Sequence, residues 1–490
     1  MRRLRLSSLP PAQTEALRIV ARCLGRETAY LVGGAVRDGL LRRPSDDLDL
    51  AVPSGAAALA RRIAERGAGA YVELDAERGA ARAVLPVAGV TVQVDVTDFR
   101  GPTLADDLAG RDFTVNALAV PVRGLVGGVA AVVDPRGGLA DLRARRLRLA
   151  APDSIARDPA RALRGIRLEA ELRFRFDTAA ARAVRRDASG LGRVAAERVG
   201  QEIVAVFRLA GSASVLWRAE RLGVLAAVIP ETAAMRGVAQ PAPHRFDVLE
   251  HSLRALTAAD RLLTRIDALR PWGDLLAGHL AETLGGGVTR RETLKLAALL
   301  HDVAKPETRA VLDGRIRFLG HDGLGAERVR AIGERLRLPS SATRVLETLV
   351  RHHLRPMHLE QAGAVTRRAR YRFFRDLGEE SRDLLLLTLA DAAAVRGLSP
   401  LTVWRRAGLV RELMAGWPED RASRAAPPLL RGEDVMAAFG LAPGPEVGRL
   451  LERAREAQDT GLVLTREQAL AHLRTARGGG PLPRGDGSVV

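Results

Sequence analysis

The sequence predicts an α+β chain, with a small sheet near the N-terminus and helices almost from there to the end. Three observations lead to this. Apolar and polar residues alternate with period two at Asp47–Leu50 and again through residues 70–98, in AYVELD, ARAVLPV and VTVQVDVTDF. That period suits a strand with one buried face. Further on, apolar residues recur at helical spacing in DVLEHSLRAL, around His251, and in TLKLAALL, before His301. A chain of 490 residues is also too long for one core, so roughly three or four domains are expected.

Composition narrows the class. Hydrophobic residues at 47% exclude wholesale disorder, and aromatics at 3% leave Leu, Val and Ala to build the cores. A formal net charge of +18 points to a polyanionic partner. Only two lysines occur, Lys295 and Lys305, so nearly all of the basicity is arginine. The single cysteine, Cys23, excludes an intramolecular disulfide framework and fits a reducing cytoplasm, where it reads as a small buried hydrophobe. MRRLRL leads into polar residues without an apolar run, and no stretch approaches ~18 apolar residues. A cytoplasmic protein with no membrane span is expected.

Taken in order, residues 11–25 read as an amphipathic helix before a short apolar strand, TAYLV. LVGGAVRDGLLRRPSDDLDLAV follows, and the chain is organised around it. Gly33 and Gly34 lack a Cβ, which lets backbone approach a phosphate chain. Arg37, one turn into the next helix, is expected to reach the same phosphates. On a strand, Asp47 and Asp49 share one face while Leu48 and Leu50 enter the core. Two carboxylates on a rigid strand beside a glycine turn suit a two-magnesium site for phosphoryl or nucleotidyl transfer; a tight turn before a solvated acidic strand edge would leave the same pattern. Residues 55–67 read as a further helix. Asp95, within VTVQVDV, is either a third supporting carboxylate or a solvated edge residue.

GGAVRD followed by DDLDLAV resembles the signature of the class II tRNA nucleotidyltransferases, the family of CCA-adding enzymes and bacterial poly(A) polymerases. The resemblance implies a polymerase-beta-like head at residues 1–145, with Mg²⁺ at Asp47 and Asp49. GRDFTVNALAV (110–120) resembles the family's R-R-D-F-T-x-N-A element, with Gly110 where the first arginine usually stands. It implies that Arg111, Asp112 and Asn116 bind the ribose and phosphates of the incoming nucleotide. VVDPRGGLADLRARRLRL (132–149) matches the segment that joins the head to a helical neck, placed at 146–225. There RDPARALRGIR resembles the template-free base-selecting element. Asp158 and Arg161 are three apart, so both are expected on one helix face. A carboxylate accepting from an exocyclic amino group and a guanidinium donating to ring acceptors suit cytosine and adenine and reject uracil and guanine. Arg164 and Arg167 continue that stripe; Arg157 stands where the family usually has Glu. In AAERVGQEI, Glu197 and Arg198 are expected to buttress the preceding helix.

A second constellation runs His251, His301-Asp302 with Lys305 after it, His321, His352 with His353 beside it as the alternative, and Asp391. This order resembles the HD phosphohydrolase pattern, in which imidazoles and carboxylates bind one or two divalent ions, here Mn²⁺, Ni²⁺ or Mg²⁺. It places an HD domain at 226–400, either hydrolysing 2′,3′-cyclic phosphates and other phosphate esters or kept as a tRNA-binding body. LLRGEDVMAAFGLAPGPEVGRLLERAREAQDTGLVLTREQALAHL (429–473) resembles the family's C-terminal helical segment, a tRNA-binding tail at 401–475, with a disordered end at 476–490.

The resemblance implies addition of C, C and A to the tRNA 3′ end from CTP and ATP. Between Phe99-Arg100 and Arg111 the chain carries only GPTLADDLAG, where CCA-adding relatives have a longer flexible segment implicated in the change from C to A. Its shortness resembles enzymes that add the two cytidines and leave A to a partner enzyme. Poly(A) synthesis and a chiefly HD phosphohydrolase activity are the remaining alternatives.

Overall fold

The computed structural model describes residues 2–45, 47–363 and 365–478. The chain forms two compact units: one runs to Leu209 and takes in Ser214–Pro230, the other comprises Ala210–Ala213 and the chain from Glu231 onwards. The stretch expected as a disordered end lies outside the described residues from 479 on. Residues 476–478, also expected there, instead close the helix Arg466–Gly478.

The first unit carries a six-stranded sheet in the order Ala70–Asp75, Ala80–Val87, Val90–Asp98, Asp47–Val52, Tyr30–Val32, Ala119–Pro121. Asp47–Val52 runs parallel to Val90–Asp98, pairing Asp49 with Asp95, and antiparallel to Tyr30–Val32, pairing Asp49 with Val32. The solvated-edge reading of Asp95 therefore falls, because its strand has neighbours on both sides. Leu48, Leu50, Val94 and Val96 are fully buried, as period-two burial requires. Helices Pro11–Cys23 and Ala56–Arg66 match the expected spans to within two residues and bury Leu17, Val20, Leu59 and Ile63.

An aromatic pair packs the neck on the head. Phe113 is fully buried and sits 6.0 Å, centroid to centroid, from Phe176. The neck helix Ala160–Leu172 passes so close that a Cβ on Gly165 would lie 2.5 Å from Phe113 Cζ and 2.7 Å from Phe176 Cζ. The neck is not purely helical, since Arg175–Phe176 pairs with Arg146–Leu147 as a short parallel strand. Asp141, fully buried, ties this junction by accepting from Thr114 Oγ1 at 2.7 Å and from Arg146 and Arg148.

Among its described residues the second unit is helical apart from one hairpin, Arg309–Leu312 with Arg315–Phe318, and an isolated bridge between Thr283 and Thr289. Helices Val248–Thr264, Arg290–Leu300, Ser340–His352 and Glu380–Arg396 bury leucine-rich faces. The C-terminal helices close a small separate core around Val435, Val447, Val463 and Leu473. Among the described residues no single helix is long and apolar enough to cross a membrane.

Candidate functional site

The register of the sheet builds the head site. Because Val32 pairs with Asp49, the next residue, Gly33, turns directly beside the Asp49 carboxylate. A Cβ on Gly33 would lie 2.8 Å from Asp49 Oδ2 and 3.2 Å from Arg111 Nη1, and its φ of +71° favours glycine independently. Burial raises the Asp49 carboxyl above its ordinary value, against the pull of Arg111 and Arg164. Asp47 is exposed on the same face of the strand, and Asp95 is held by Arg82 at 2.6 and 2.9 Å. Carboxylate oxygens on one face of a strand are a hard donor set that suits magnesium.

Asp49 opens into a cavity of about 570 Å³ that also receives Gly33, Gly34, Arg111, Asp112, Asn116, Asp158, Arg161 and Arg164. Head and neck residues separated by more than a hundred positions thus face one space. Asp112 is buried; its Oδ1 accepts from the Phe113 amide at 2.7 Å and from Asn116 Nδ2 at 3.0 Å, and its Oδ2 faces Arg164 Nε at 3.2 Å. Burial would raise this carboxyl, but Arg164 and the two hydrogen bonds hold it below the ordinary value.

Several expected residues stand elsewhere. Arg37 does not reach into the cavity. It is buried, donating Nε and Nη2 to Asp38 and Nη1 to Asn116 Oδ1 at 2.7 Å, so it fixes the orientation of Asn116 instead. Arg167 is drawn away by Glu202 and Glu171. Asp158 and Arg161 do not share a helix. Asp158 has extended backbone at the end of Ser154–Arg157, and Pro159 caps the next helix, since a proline biases its predecessor away from helical geometry. The pair still meets, with Arg161 Nε 3.6 Å from Asp158 Oδ2. Arg161 spends its Nη donors on Ser154 Oγ and the carbonyls of Gly110 and Arg111. Arg198, expected only to buttress, donates to Asp158 at 2.8 Å and lines the cavity. Gln201 and Glu202 line it as well; AAERVGQEI carried them, four and five residues after Glu197.

The second unit gathers the histidines into two adjoining groups, His251–His301–Asp391 and Asp302–His321–His353. All are buried except the half-buried Asp391. His251 Nε2 lies 3.0 Å from Asp391 Oδ1 and 3.3 Å from His301 Nε2; His321 Nε2 lies 3.2 Å from His353 Nε2. The Nδ1 atoms of His301, His321 and His353 face the carbonyls of Ala298, Phe318 and Val350. An Nδ1–H donated to a carbonyl leaves the Nε2 lone pair for a cation, and converging lone pairs fit a divalent ion. Burial pushes His321 down to about 4, so its imidazole is neutral at pH 7. Burial would raise Asp302, but His301 and Lys305, whose Nζ is 2.7 Å away, hold it well below the usual range.

The group takes His353, not His352. The Ser340–His352 helix buries Val345, Leu346, Leu349 and Val350, so positions 352 and 353 each follow a buried residue by two turns. The choice is made by the fold, which buries His353 against His321. His352 stands about 100° round the helix from His353, half-buried, with Arg355 and Asp376 as charged neighbours.

A sheet whose strand carries Asp47 and Asp49 beside a glycine turn, opening on a shared cavity with helical neck residues, is the head of a nucleotidyltransferase of the polymerase-beta type. The family descriptions agree: a Poly A polymerase head domain matches residues 29–148 and an HD domain matches 248–395. The chain is 39% identical over 455 residues to the A-adding tRNA nucleotidyltransferase of Deinococcus radiodurans, covering 91% of this chain and 95% of that protein. It is 37% identical to the CC-adding tRNA nucleotidyltransferase of Thermus thermophilus, covering 92% and 94%. The solved Thermotoga maritima CCA-adding enzyme in complex with tRNA shares the fold at a TM-score of 0.59 and 18% identity, over 97% of this chain and all of that one. The chain belongs to the class II tRNA nucleotidyltransferase family, carries an HD domain, and is a nucleotidyltransferase.

Proposed function

We propose that the chain extends the 3′ end of tRNA with cytidine, taking CTP, without a nucleic-acid template. The observation that carries nucleotidyl transfer to an RNA end is the single cavity in which Asp49 of the head faces Asp158 and Arg161 of the neck. Asp47 and Asp49 would hold magnesium, which when bound neutralises charge on the α-phosphate and lowers the pKa of the attacking 3′-hydroxyl. Arg111 and Arg164 answer the phosphates, and Asn116, oriented by Arg37, is placed for the ribose. Asp158, held by Arg198, accepts from the amino group of the base.

Restriction to one kind of base rests on the segment before Arg111. Leu104–Ala109 is a helix closed by a Thr103–Asp106 capping box, and Asp107 is fully buried between Arg100 and Arg111. A site that changes from C to A needs a part that moves, and this segment is short and tethered. Identity with an A-adding relative favours a second reading, addition of the terminal A alone. Labelled CTP and ATP, offered with transcripts ending at the discriminator base, at C and at CC, separate the outcomes. Extension that stops at CC supports the proposal; A added only to CC supports the second reading; A added after C, C makes this a complete CCA enzyme. The first outcome also implies an A-adding partner enzyme in the same cell.

We further propose that the two histidine–aspartate groups bind divalent metal and hydrolyse phosphate esters. Metal content measured after dialysis, and turnover of 2′,3′-cyclic AMP with added Mn²⁺, Ni²⁺ or Mg²⁺, test this; neither binding nor turnover would leave the HD unit as a binding body.

A further inference from the structure

We propose that Arg100 is a nucleotide-binding residue of the head site. It donates to the polyphosphate of the incoming nucleotide from the space that an arginine at position 110 would claim, and buried Asp107 is its positioning residue.

Gly110 departs from the family element by lacking a side chain, and the structure gives a steric reason. A Cβ there would lie 3.0 Å from Arg100 Cδ, 3.2 Å from the Asp107 carbonyl and 3.4 Å from Arg100 Cβ. The Arg100 stem already fills that volume. The Gly110 backbone itself is ordinary αR, so the constraint on a larger residue is one of space, and the Arg100 stem would have to give way to admit it.

Asp107 explains why Arg100 stays there. One carboxylate oxygen accepts from the Arg100 amide at 3.4 Å and from its Nη1 at 3.2 Å; the other accepts from Arg111 Nε and Nη2 at 3.1 and 3.0 Å. With no exposed surface, Asp107 has no solvent to exchange these partners for, and so splits its charge between two arginines of one cavity. Arg111 spends two of its three nitrogens on that carboxylate. Arg161 spends both Nη nitrogens on Ser154 and on backbone. Arg100 spends one nitrogen on Asp107, and its Nε and Nη2 make no hydrogen bond among the described residues. Of these three guanidinium groups it therefore keeps two nitrogens for a ligand.

Location identifies the ligand. Arg100 lines the cavity that holds Asp49, Gly33 and Arg111, and its charge acts on Asp49 itself. A polyanion laid against the Gly33–Gly34 turn, with its α-phosphate at Asp49, meets Arg100 and Arg111 side by side, where a guanidinium binds phosphate through paired donors. Arg100 also borders a neighbouring basic recess of about 980 Å³ with Arg78, Arg157, Arg193 and Arg198. That recess could seat the backbone of an RNA end, so the test separates the two ligands.

The inference rests on the head being the nucleotide site but not on tRNA being the acceptor. Calorimetric titration of the full chain with CTP and with ATP, each with Mg²⁺, reads it without transfer. Arg100→Ala should weaken nucleotide binding by roughly 10- to 100-fold, as expected for a lost charge-assisted hydrogen bond. Affinity for a tRNA transcript should stay within twofold, and Arg100→Lys should recover part of the loss. Gly110→Arg alone should also weaken binding, because two arginine stems compete for one volume, whereas Arg100→Ala/Gly110→Arg should bind more tightly than Arg100→Ala. Unchanged nucleotide affinity in Arg100→Ala overturns the proposal. So does a loss confined to tRNA, or a double variant no better than Arg100→Ala. A parent chain that binds nucleotide but extends no tRNA would leave this inference standing and defeat the acceptor assignment.

Discussion

Replacing Gly33 with alanine adds one methyl group at the point where turn, carboxylate and arginine meet. The new carbon would lie 2.8 Å from Asp49 Oδ2 and 3.2 Å from Arg111 Nη1, both closer than ordinary contact, at a φ of +71°. With ψ at −138° this backbone conformation is one that glycine alone adopts readily, and it costs an L-residue about 1–3 kcal/mol. The contact must be relieved by moving Asp49, which is penned in by its strand neighbours. Displacement of a reacting group by about 1 Å costs on the order of 100-fold in rate, so Gly33→Ala should lose that much in kcat/KM for labelled CTP. Gly25→Ala separates strain from displacement: its φ is +48°, nothing lies within 4 Å of the added carbon, and it is remote from the cavity. Both variants should melt a few degrees below the parent, as about 1–3 kcal/mol implies, but only Gly33→Ala should lose transfer. Gly33→Ala retaining more than a tenth of parental kcat/KM would refute the reasoning.

Three further outcomes follow. Asp49→Ala and Asp47→Ala should each abolish incorporation in a primer-extension assay while tRNA affinity in a filter-binding assay stays near the parent's; residual addition in either would remove that carboxylate from the metal site. His353→Ala should lose bound divalent metal by elemental analysis and His352→Ala should retain it; the reverse would restore His352 to the ligand set. Gly165→Val places side-chain carbon against the Phe113 and Phe176 rings, and overpacking there should cost about 1–3 kcal/mol; a melting temperature equal to the parent's would show that the head–neck junction has room.

Much of this protein was legible in its residues because the relevant signals are local. Period-two burial in VTVQVDV and DLDL, glycines where a chain turns tightly, and apolar spacing along the HD helices each depend on residues a few positions apart. They located the head strands and Asp49 beside Gly33, while the histidine cluster came from the resemblance of its order to the HD pattern. That spacing does not separate His353 from His352, because Val345 and Leu346 are both buried two turns earlier; the tertiary contact of His353 with His321 does.

What tertiary structure alone decided concerns long, charged side chains whose partners lie far off in sequence. Arg37 was close enough in sequence to serve phosphates but is buried by Asp38 and by Asn116, 79 residues away. Arg167 belongs to Glu202, and Arg161 to the carbonyls of Gly110 and Arg111. Arg100 carried no motif and lines the cavity because Asp107 holds it and Gly110 leaves it room. A strand or helix periodicity aims a Cβ, but a guanidinium on a flexible stem goes where the nearest buried carboxylate or carbonyl repays its desolvation. In a chain whose basicity is nearly all arginine, that choice is made by the fold.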